Sequence, residues 1–238
     1  MLNISKIKAI TLDLDDTLWP VWPAIAGAEK ALNVWLVPRA PGAAALIGDP
    51  ASRLALRETV QAQRPDKAHD MSFLRLEMLR QALQQHGEDT ALVAPAFEVF
   101  LAQRMRVDLY ADALPALTFL AQRFALVAVS NGNADVHRVG IGAHFHSSVS
   151  AHVLGVAKPD VRIFHAAAAN VGVAPDEVLH VGDDAALDVL GALNAGMQTV
   201  WVNREGQVWR HPEQPHVTVR SLETLCGLLA EVPVLGGW

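Results

Sequence analysis

Two hydrophobic patterns divide the chain. Residues 7–14 form a short apolar run that ends in three carboxylates, Asp13, Asp15 and Asp16. Short apolar runs bounded by polar residues are typical of strands buried on both faces. The next stretch, up to residue 107, instead repeats its apolar residues at helical spacing. For this stretch we predict helices at residues 24–36, 43–63, 72–85 and 91–105.

From residue 110 onward the pattern alternates between helix and strand. We predict strands at residues 125–129, 147–153, 178–181, 199–202 and 217–219, and helices at residues 113–123, 160–171, 188–195 and 222–229. Such alternation predicts a parallel sheet with helices on both faces, and the strand at residues 7–14 belongs to the same sheet. The predicted fold is therefore α/β. A doubly wound core, residues 1–18 and 108–238, carries an inserted helical domain, residues 19–107.

Composition narrows the class of protein. The 238 residues are 51% hydrophobic and 18% charged, which is an ordinary globular balance. A net charge of −6 without a basic run makes a nucleic-acid surface unexpected. No apolar run reaches membrane-span length, and the acidic N-terminal region does not resemble a signal peptide. The single cysteine excludes an internal disulfide. We expect a cytoplasmic protein with no membrane contact and no required protein partner.

Side chains that bind metals and phosphate follow three of the predicted strands, and a lysine precedes a predicted helix. They are Asp13 and Asp15, then Ser130 and Asn131, then Asp183 and Asp184, with Lys158 before the helix at 160–171. In open α/β sheets, ligands bind beyond the carboxyl ends of the strands. Carboxylates are preferred Mg²⁺ ligands, while lysines and backbone amides hold phosphoryl oxygens. The pattern indicates a magnesium and phosphate site.

Each of these residues also has a structural interpretation. The aspartates can cap helices, Ser130 can end a strand, and Lys158 can lie in solvent. If the first strand continues to Asp15, however, Asp13 and Asp15 share one face of it. Two carboxylates about 4 Å apart repel by roughly 4 kcal/mol at an effective dielectric constant near 20. The four elements together favour a functional site.

These residues also resemble a known family. The stretch Asp13-Leu14-Asp15-Asp16-Thr17 resembles the DxDx[TV] motif of the haloacid dehalogenase-like hydrolases. Ser130, Lys158-Pro159 and the acidic stretch 182–188 resemble the second, third and fourth motifs of that family, in the same order. The resemblance implies a Rossmann-like core, with residues 19–107 as a C1 cap. Residues 130–134 and 179–184, and more weakly 69–72, are most similar to bacterial FMN and ribitylaminouracil phosphate phosphatases.

The resemblance implies a role for each motif residue. Asp13 would be the nucleophile that forms an aspartyl-phosphate, and Asp15 would be the general acid and base. The Mg²⁺ ion would be held by Asp13, the carbonyl of Asp15 and Asp183, with Asp184 or Asp188 as a further ligand or next to the ligands. The transferring phosphate of a small phosphate ester would be bound by Thr17, Ser130, Asn131 and Lys158.

Several alternatives remain at this point. Dehalogenases of the family lack the second carboxylate of the first motif, so Asp15 argues against that activity. A sugar-phosphate phosphatase or a phosphomutase would keep the same core residues, whereas a non-catalytic phosphate-binding module would be expected to lose one. Substrate specificity is expected to come from the inserted domain. Trp19, His69 and Asp70 are the candidate substrate contacts, with helix packing as the alternative for the tryptophan.

Overall fold

The structure is a computed structural model that describes residues 2–234. The chain divides into two compact units. The core unit contains the residues up to Pro20 and those from Asp108 onward, and the helical unit is Val21–Val107. Residue 1 and residues 235–238, which the predicted core domain includes, lie outside the described part of the chain.

The helical unit contains five α-helices: α1 (Val21–Leu36), α2 (Pro41–Gly48), α3 (Pro50–Gln63), α4 (Met71–Gln85) and α5 (Val93–Arg104). Their apolar faces share one buried cluster, which includes Leu32, Leu36, Ile47, Leu79 and Phe100. The unit therefore has a hydrophobic core of its own.

The predicted helix at residues 43–63 is wrong as a single element, because the chain breaks between α2 and α3. Asp49 has extended backbone angles, φ −81° and ψ 120°, and its carboxylate accepts a hydrogen bond from the Ser52 N–H at 2.7 Å. Pro50 is the first residue of α3. Proline lacks an N–H and disfavours helical angles in the residue before it, so Asp49 ends one helix and caps the next.

The core unit is built on a six-stranded sheet: β1 (Ala9–Leu12), β2 (Ala125–Ser130), β3 (Ser147–Ser150), β4 (Val178–Gly182), β5 (Gln198–Val202) and β6 (Val217–Val219). The strand order is β3-β2-β1-β4-β5-β6, and every pairing is parallel. All residues of β1 and β4 are buried. The parallel sheet confirms the predicted α/β fold class.

Helices of the core unit cover this sheet. They are α6 (Ala113–Ala121), α7 (Val136–Val139), α8 (Ala151–Leu154), α9 (Val161–Asn170), α10 (Gly191–Asn194) and α11 (Leu222–Leu228). On one side, Ile163 and Phe164 of α9 pack in a buried cluster with Val127, Val129 and Val178 of the strands. This packing fixes the sheet whose strand ends carry the candidate site residues.

Three predicted elements end elsewhere in the structure. The first strand stops at Leu12, so Asp13 and Asp15 lie in the loop after it and their expected shared strand face is absent. The strand predicted at 147–153 ends at Ser150, where α8 follows directly. The helix predicted at 188–195 is a π-helical turn, Ala185–Leu190, followed by α10. Within residues 2–234, no helix has the length and apolarity that crossing a bilayer requires.

Candidate active site

Three aspartates from two segments of the chain meet at the carboxyl end of the sheet. Carboxylate oxygens of Asp13, after β1, and of Asp183 and Asp188, after β4, all lie within 4.8 Å of one another. Asp13 and Asp188 are buried, and Asp183 is half-buried. They meet because β1 and β4 are adjacent parallel strands, which bring their carboxyl ends to the same edge.

A single buried lysine balances part of this charge. The Lys158 ammonium donates to Asp13, and to Asp188 at 2.6 Å. Burial alone would lower the pKa of Lys158, but the charges of Asp13 and Asp188 outweigh it and raise that pKa above its usual value. The lysine is therefore a fixed cation between two carboxylates.

The carboxylates respond differently to this environment. Burial, opposed by Lys158, raises the pKa of Asp13 well above its usual value. Burial and the charges of Asp188 and Asp16 raise the pKa of Asp183 to about 7. Burial also opposes the charge on Asp188, but Lys158 and His180 hold its pKa below the usual range. Asp13 and Asp183 thus have raised pKa values when only the protein's own cation is present.

This imbalance fits a divalent metal ion. The three carboxylates offer hard oxygen atoms, the ligand type that Mg²⁺ prefers. A cation there would stabilise the ionised forms of Asp13 and Asp183, whose pKa values are raised without it. Asp184 lies differently: its exposed carboxylate caps the π-helical turn by accepting from the Ala186 and Leu187 N–H groups, both at 2.8 Å.

The predicted phosphate-binding side chains other than Lys158 also have hydrogen-bond partners inside the protein. The Thr17 hydroxyl donates to Asp183 at 3.1 Å. The side-chain oxygen of Asn131 accepts from the Lys158 N–H at 2.7 Å, and its side-chain nitrogen donates to the Lys158 carbonyl at 3.0 Å. In the structure, these side chains therefore orient Asp183 and Lys158. The Ser130 hydroxyl is buried at the end of β2 and accepts from the Gly132 N–H at 3.0 Å.

A buried histidine supports the acidic cluster from within the sheet. His180, on β4, lies 2.8 Å from the Thr11 hydroxyl through Nδ1 and 3.2 Å from Asp188 through Nε2. Burial lowers its pKa. Asp188 also accepts from the Asp184 N–H at 3.0 Å. The one sequence signal for this network is a polar residue within the apolar strand β4.

The candidate substrate contacts lie in different units. In the core unit, Trp19 is fully buried, and its indole N–H donates to Asp15 at 2.8 Å. In the helical unit, His69 is half-buried, and Asp70 caps α4 by accepting from the Phe73 N–H at 2.9 Å. The helical unit also contains a cavity of about 420 Å³ whose lining includes Trp22, Glu29, Lys30, Asn33 and Arg53.

Comparison with known proteins assigns the chain to a family. The family described as haloacid dehalogenase-like hydrolase matches residues 7–196, a stretch that contains all four motifs. The chain belongs to the haloacid dehalogenase-like hydrolases. The predicted family is thereby confirmed.

Two curated relatives cover most of the chain. The 5-amino-6-(5-phospho-D-ribitylamino)uracil phosphatase YigB of Escherichia coli is 32% identical over 95% of this chain and 98% of its own length. A glyceraldehyde 3-phosphate phosphatase of Methanopyrus kandleri is 32% identical over 83% of this chain and 84% of its own. Both are named phosphatases, and this haloacid dehalogenase-like hydrolase is likewise a phosphatase.

One similar solved structure is named for a different activity from these phosphatases. A crystal structure of a 2-haloacid dehalogenase from Pseudomonas syringae superposes with a TM-score of 0.88, at 38% identity, over 94% of this chain and 98% of that one. The fold is therefore shared between proteins named for two chemistries. In this chain, both carboxylates of the first motif, Asp13 and Asp15, are present.

Proposed function

We propose that this chain is a Mg²⁺-dependent phosphomonoester hydrolase that works through an aspartyl-phosphate on Asp13. One observation carries the proposal. The buried Asp13 carboxylate lies within 4.8 Å of the Asp183 and Asp188 carboxylates and contacts the Lys158 ammonium. An anionic nucleophile beside a cation, with carboxylates for a metal, is the arrangement that phosphoryl transfer requires.

The chain's own residues then have distinct tasks. Lys158 binds phosphoryl oxygens and lowers the repulsion between them and Asp13. Asp13 attacks phosphorus as the bond to the leaving oxygen breaks, and Asp15 donates its proton to that oxygen. Asp15 next removes a proton from the water that attacks the phosphorus of the acylphosphate, which releases inorganic phosphate and restores Asp13. Mg²⁺, held by Asp13, Asp183 and the Asp15 carbonyl, supplies positive charge against the transferring group when bound.

Dehalogenation is the competing activity, because a similar solved structure has that name. A haloacid dehalogenase forms an ester on its nucleophilic aspartate and needs no leaving-group proton, since halide leaves as an anion. Asp15 supports the phosphatase, because alkoxide is a poor leaving group that requires protonation. Release of halide from a 2-haloacid, with no release of phosphate from phosphate esters, would favour the dehalogenase.

For the substrate we propose FMN or a ribitylaminouracil phosphate. The support is the 32% identity with YigB over nearly the full length of both chains, together with the sequence similarities at residues 130–134 and 179–184. The glyceraldehyde 3-phosphate phosphatase relative favours a small sugar phosphate as the alternative. A phosphomutase would isomerise such a sugar phosphate and release little inorganic phosphate.

A screen of phosphate esters tests both levels of the proposal. Purified protein with Mg²⁺ is expected to release phosphate from FMN and the ribitylaminouracil ester more efficiently than from hexose or triose phosphates. Excess chelator should abolish the release and added Mg²⁺ should restore it. The matched control is Asp13→Asn, which should be inactive. Turnover in excess chelator would overturn the metal assignment, and better turnover of hexose phosphates would overturn the substrate assignment.

We further propose that the helical unit supplies substrate selectivity through His69 and Asp70. The support for these two residues is the sequence similarity of residues 69–72 to FMN phosphatases. The cavity of the unit, which His69 and Asp70 do not line, offers an indole, cations and a carboxylate that suit a flat polar ring. His69→Ala should raise KM for FMN more than KM for a small aryl phosphate. For Asp70 the informative variant is Asp70→Ser, because serine retains the cap of α4 that alanine would remove. A cytoplasmic location and independence from protein partners stay predictions.

A further inference from the structure

The turn after β1 contains a contact that the proposed chemistry leaves unassigned. The indole N–H of Trp19 donates to Oδ1 of Asp15 at 2.8 Å, and the Trp19 side chain is fully buried. A buried indole N–H needs an acceptor, and many neutral carbonyl oxygens would serve. Here the acceptor is the carboxylate assigned to proton transfer, and a bond to a charged acceptor is stronger than one to a neutral acceptor.

The main chain holds this indole in place. The Asp16 N–H donates to the Trp19 carbonyl at 2.7 Å, so the turn closes on the same residue whose side chain reaches Asp15. The Leu18 N–H donates to the Leu14 carbonyl at 2.8 Å, and the Leu18 carbonyl accepts from the Tyr110 N–H at 2.9 Å. Backbone hydrogen bonds therefore hold both Leu18 and Trp19, and the indole that contacts the Asp15 carboxylate extends from this fixed segment.

Orientation matters more for Asp15 than for a structural carboxylate. The same side chain must deliver a proton to a leaving oxygen and then take one from a water, so it must be directed at the reacting phosphate in both steps. A small misplacement of a reacting group is enough to lose much of the rate. The buried indole and its bond to Asp15 also differ from the substrate contact that the sequence suggests for Trp19.

We propose that Trp19 is a positioning residue for proton transfer by Asp15. The inference rests on the proposed phosphatase function, because it assigns no chemistry to Trp19 itself. The proposal predicts an effect that depends on the leaving group of the substrate. Loss of the indole N–H should slow phosphoryl transfer from esters whose leaving group needs a proton, and should leave transfer from esters with a good leaving group nearly unchanged.

The experiment compares two esters across matched variants. Trp19→Phe keeps an aromatic ring and removes the N–H. Trp209→Phe makes the same change where the indole donates to the His211 and Glu213 carbonyls, both at 2.9 Å, and serves as the control. The substrates are an alkyl phosphate and p-nitrophenyl phosphate, and kcat/KM is compared because it reports the steps through phosphoryl transfer. Asp15→Asn gives the upper limit of the effect.

We expect Trp19→Phe to lower kcat/KM for the alkyl ester by about 10-fold, within the roughly 10²- to 10⁴-fold that general acid catalysis contributes. For the aryl ester, kcat/KM should change less than about twofold, and Trp209→Phe should resemble wild type with both esters. An equal loss on both esters in Trp19→Phe would overturn the positioning role. Absence of any leaving-group dependence in Asp15→Asn would overturn the proposed function and the role of Trp19 together.

A measurement on the wild-type fold covers the case in which Trp19→Phe does not fold. The indole proton resonance of Trp19 should lie downfield in wild type and move upfield in Asp15→Ala, where the acceptor is gone. The indole resonance of Trp209 should stay in place. If the Trp19 resonance does not move, the contact with Asp15 does not exist in solution and the proposal is wrong.

Discussion

Asp183→Asn should make the metal-free protein more stable while abolishing its activity. In the folded protein, burial and nearby carboxylates raise the pKa of Asp183 to about 7, against 3.8 for an unperturbed side chain. The folded state therefore binds a proton that the unfolded state releases between these two pH values. Asparagine carries no charge and keeps an oxygen that can accept from the Thr17 hydroxyl.

The size and pH dependence of the effect follow from linkage. A difference of about 3 between folded and unfolded pKa values, at about 1.4 kcal/mol per pKa unit, gives an upper limit of about 4 kcal/mol. Because the folded pKa is the higher one, ionised Asp183 destabilises the protein as pH rises from about 4 to about 7. The advantage of Asp183→Asn should be absent near pH 3, grow across that range and become constant above about pH 8.

Urea denaturation in excess chelator at several pH values measures this directly. We expect a gain of about 2–4 kcal/mol in the free energy of unfolding near pH 8. Added Mg²⁺ should stabilise wild type, because a ligand that binds only the folded state adds to its stability, and should stabilise Asp183→Asn much less. Asp184→Asn is the control, because Asp184 is exposed and caps a helical turn. No gain in Asp183→Asn near pH 8 would refute the argument.

Three further substitutions test other parts of the structure. Lys158→Met should abolish turnover and, in the absence of Mg²⁺, lower the free energy of unfolding by about 3–5 kcal/mol, which urea denaturation measures. The reason is that Asp13 and Asp188 would be left buried without their cation. Asn131→Ala should lower kcat roughly 10- to 100-fold in steady-state assays, since it removes both hydrogen bonds to the Lys158 main chain. Asp70→Ala should lower stability by about 1 kcal/mol in thermal denaturation, because it removes the cap of α4.

Each of these three predictions would be contradicted by a particular result. Wild-type stability of Lys158→Met would mean that Lys158 does not form the buried ion pairs. Full activity of Asn131→Ala would mean that its amide does not position Lys158. Equal stabilities of Asp70→Ala and Asp70→Ser would exclude the capping role.

The sequence predicts the elements of the core unit well where burial alone decides them. β1 and β4 are buried on both faces, so each appears as a mainly apolar run, interrupted by Thr11 in β1 and by His180 in β4, with acidic residues after it. Ends of elements are harder to predict. The break at Asp49-Pro50 has a recognisable local signal, a capping residue before a proline, whereas the π-helical turn at Ala185–Leu190 is a variation within an otherwise helical pattern.

Partners of the site side chains were not predictable in the same way. The family resemblance implies phosphate binding by Thr17 and Asn131, yet their side chains bond to Asp183 and to the Lys158 main chain. Such contacts join residues far apart in the sequence, so they depend on how strands and loops are placed in the fold. The Trp19 bond to Asp15 is local, but it depends on a turn whose second residue, Asp16, has a φ of 59°.

The covalent mechanism depends most on Asp13 as the nucleophile. Asp15→Asn, mixed with p-nitrophenyl phosphate and Mg²⁺ and quenched in acid, should accumulate a phosphoenzyme, because phosphoryl transfer to Asp13 proceeds while hydrolysis is slow. Peptide mapping by mass spectrometry should find one phosphoryl group on the peptide that contains residue 13, and none when Asp13→Asn is combined with Asp15→Asn. A phosphoryl group on another side chain, or turnover in the Asp13→Asn variant, would contradict the covalent mechanism.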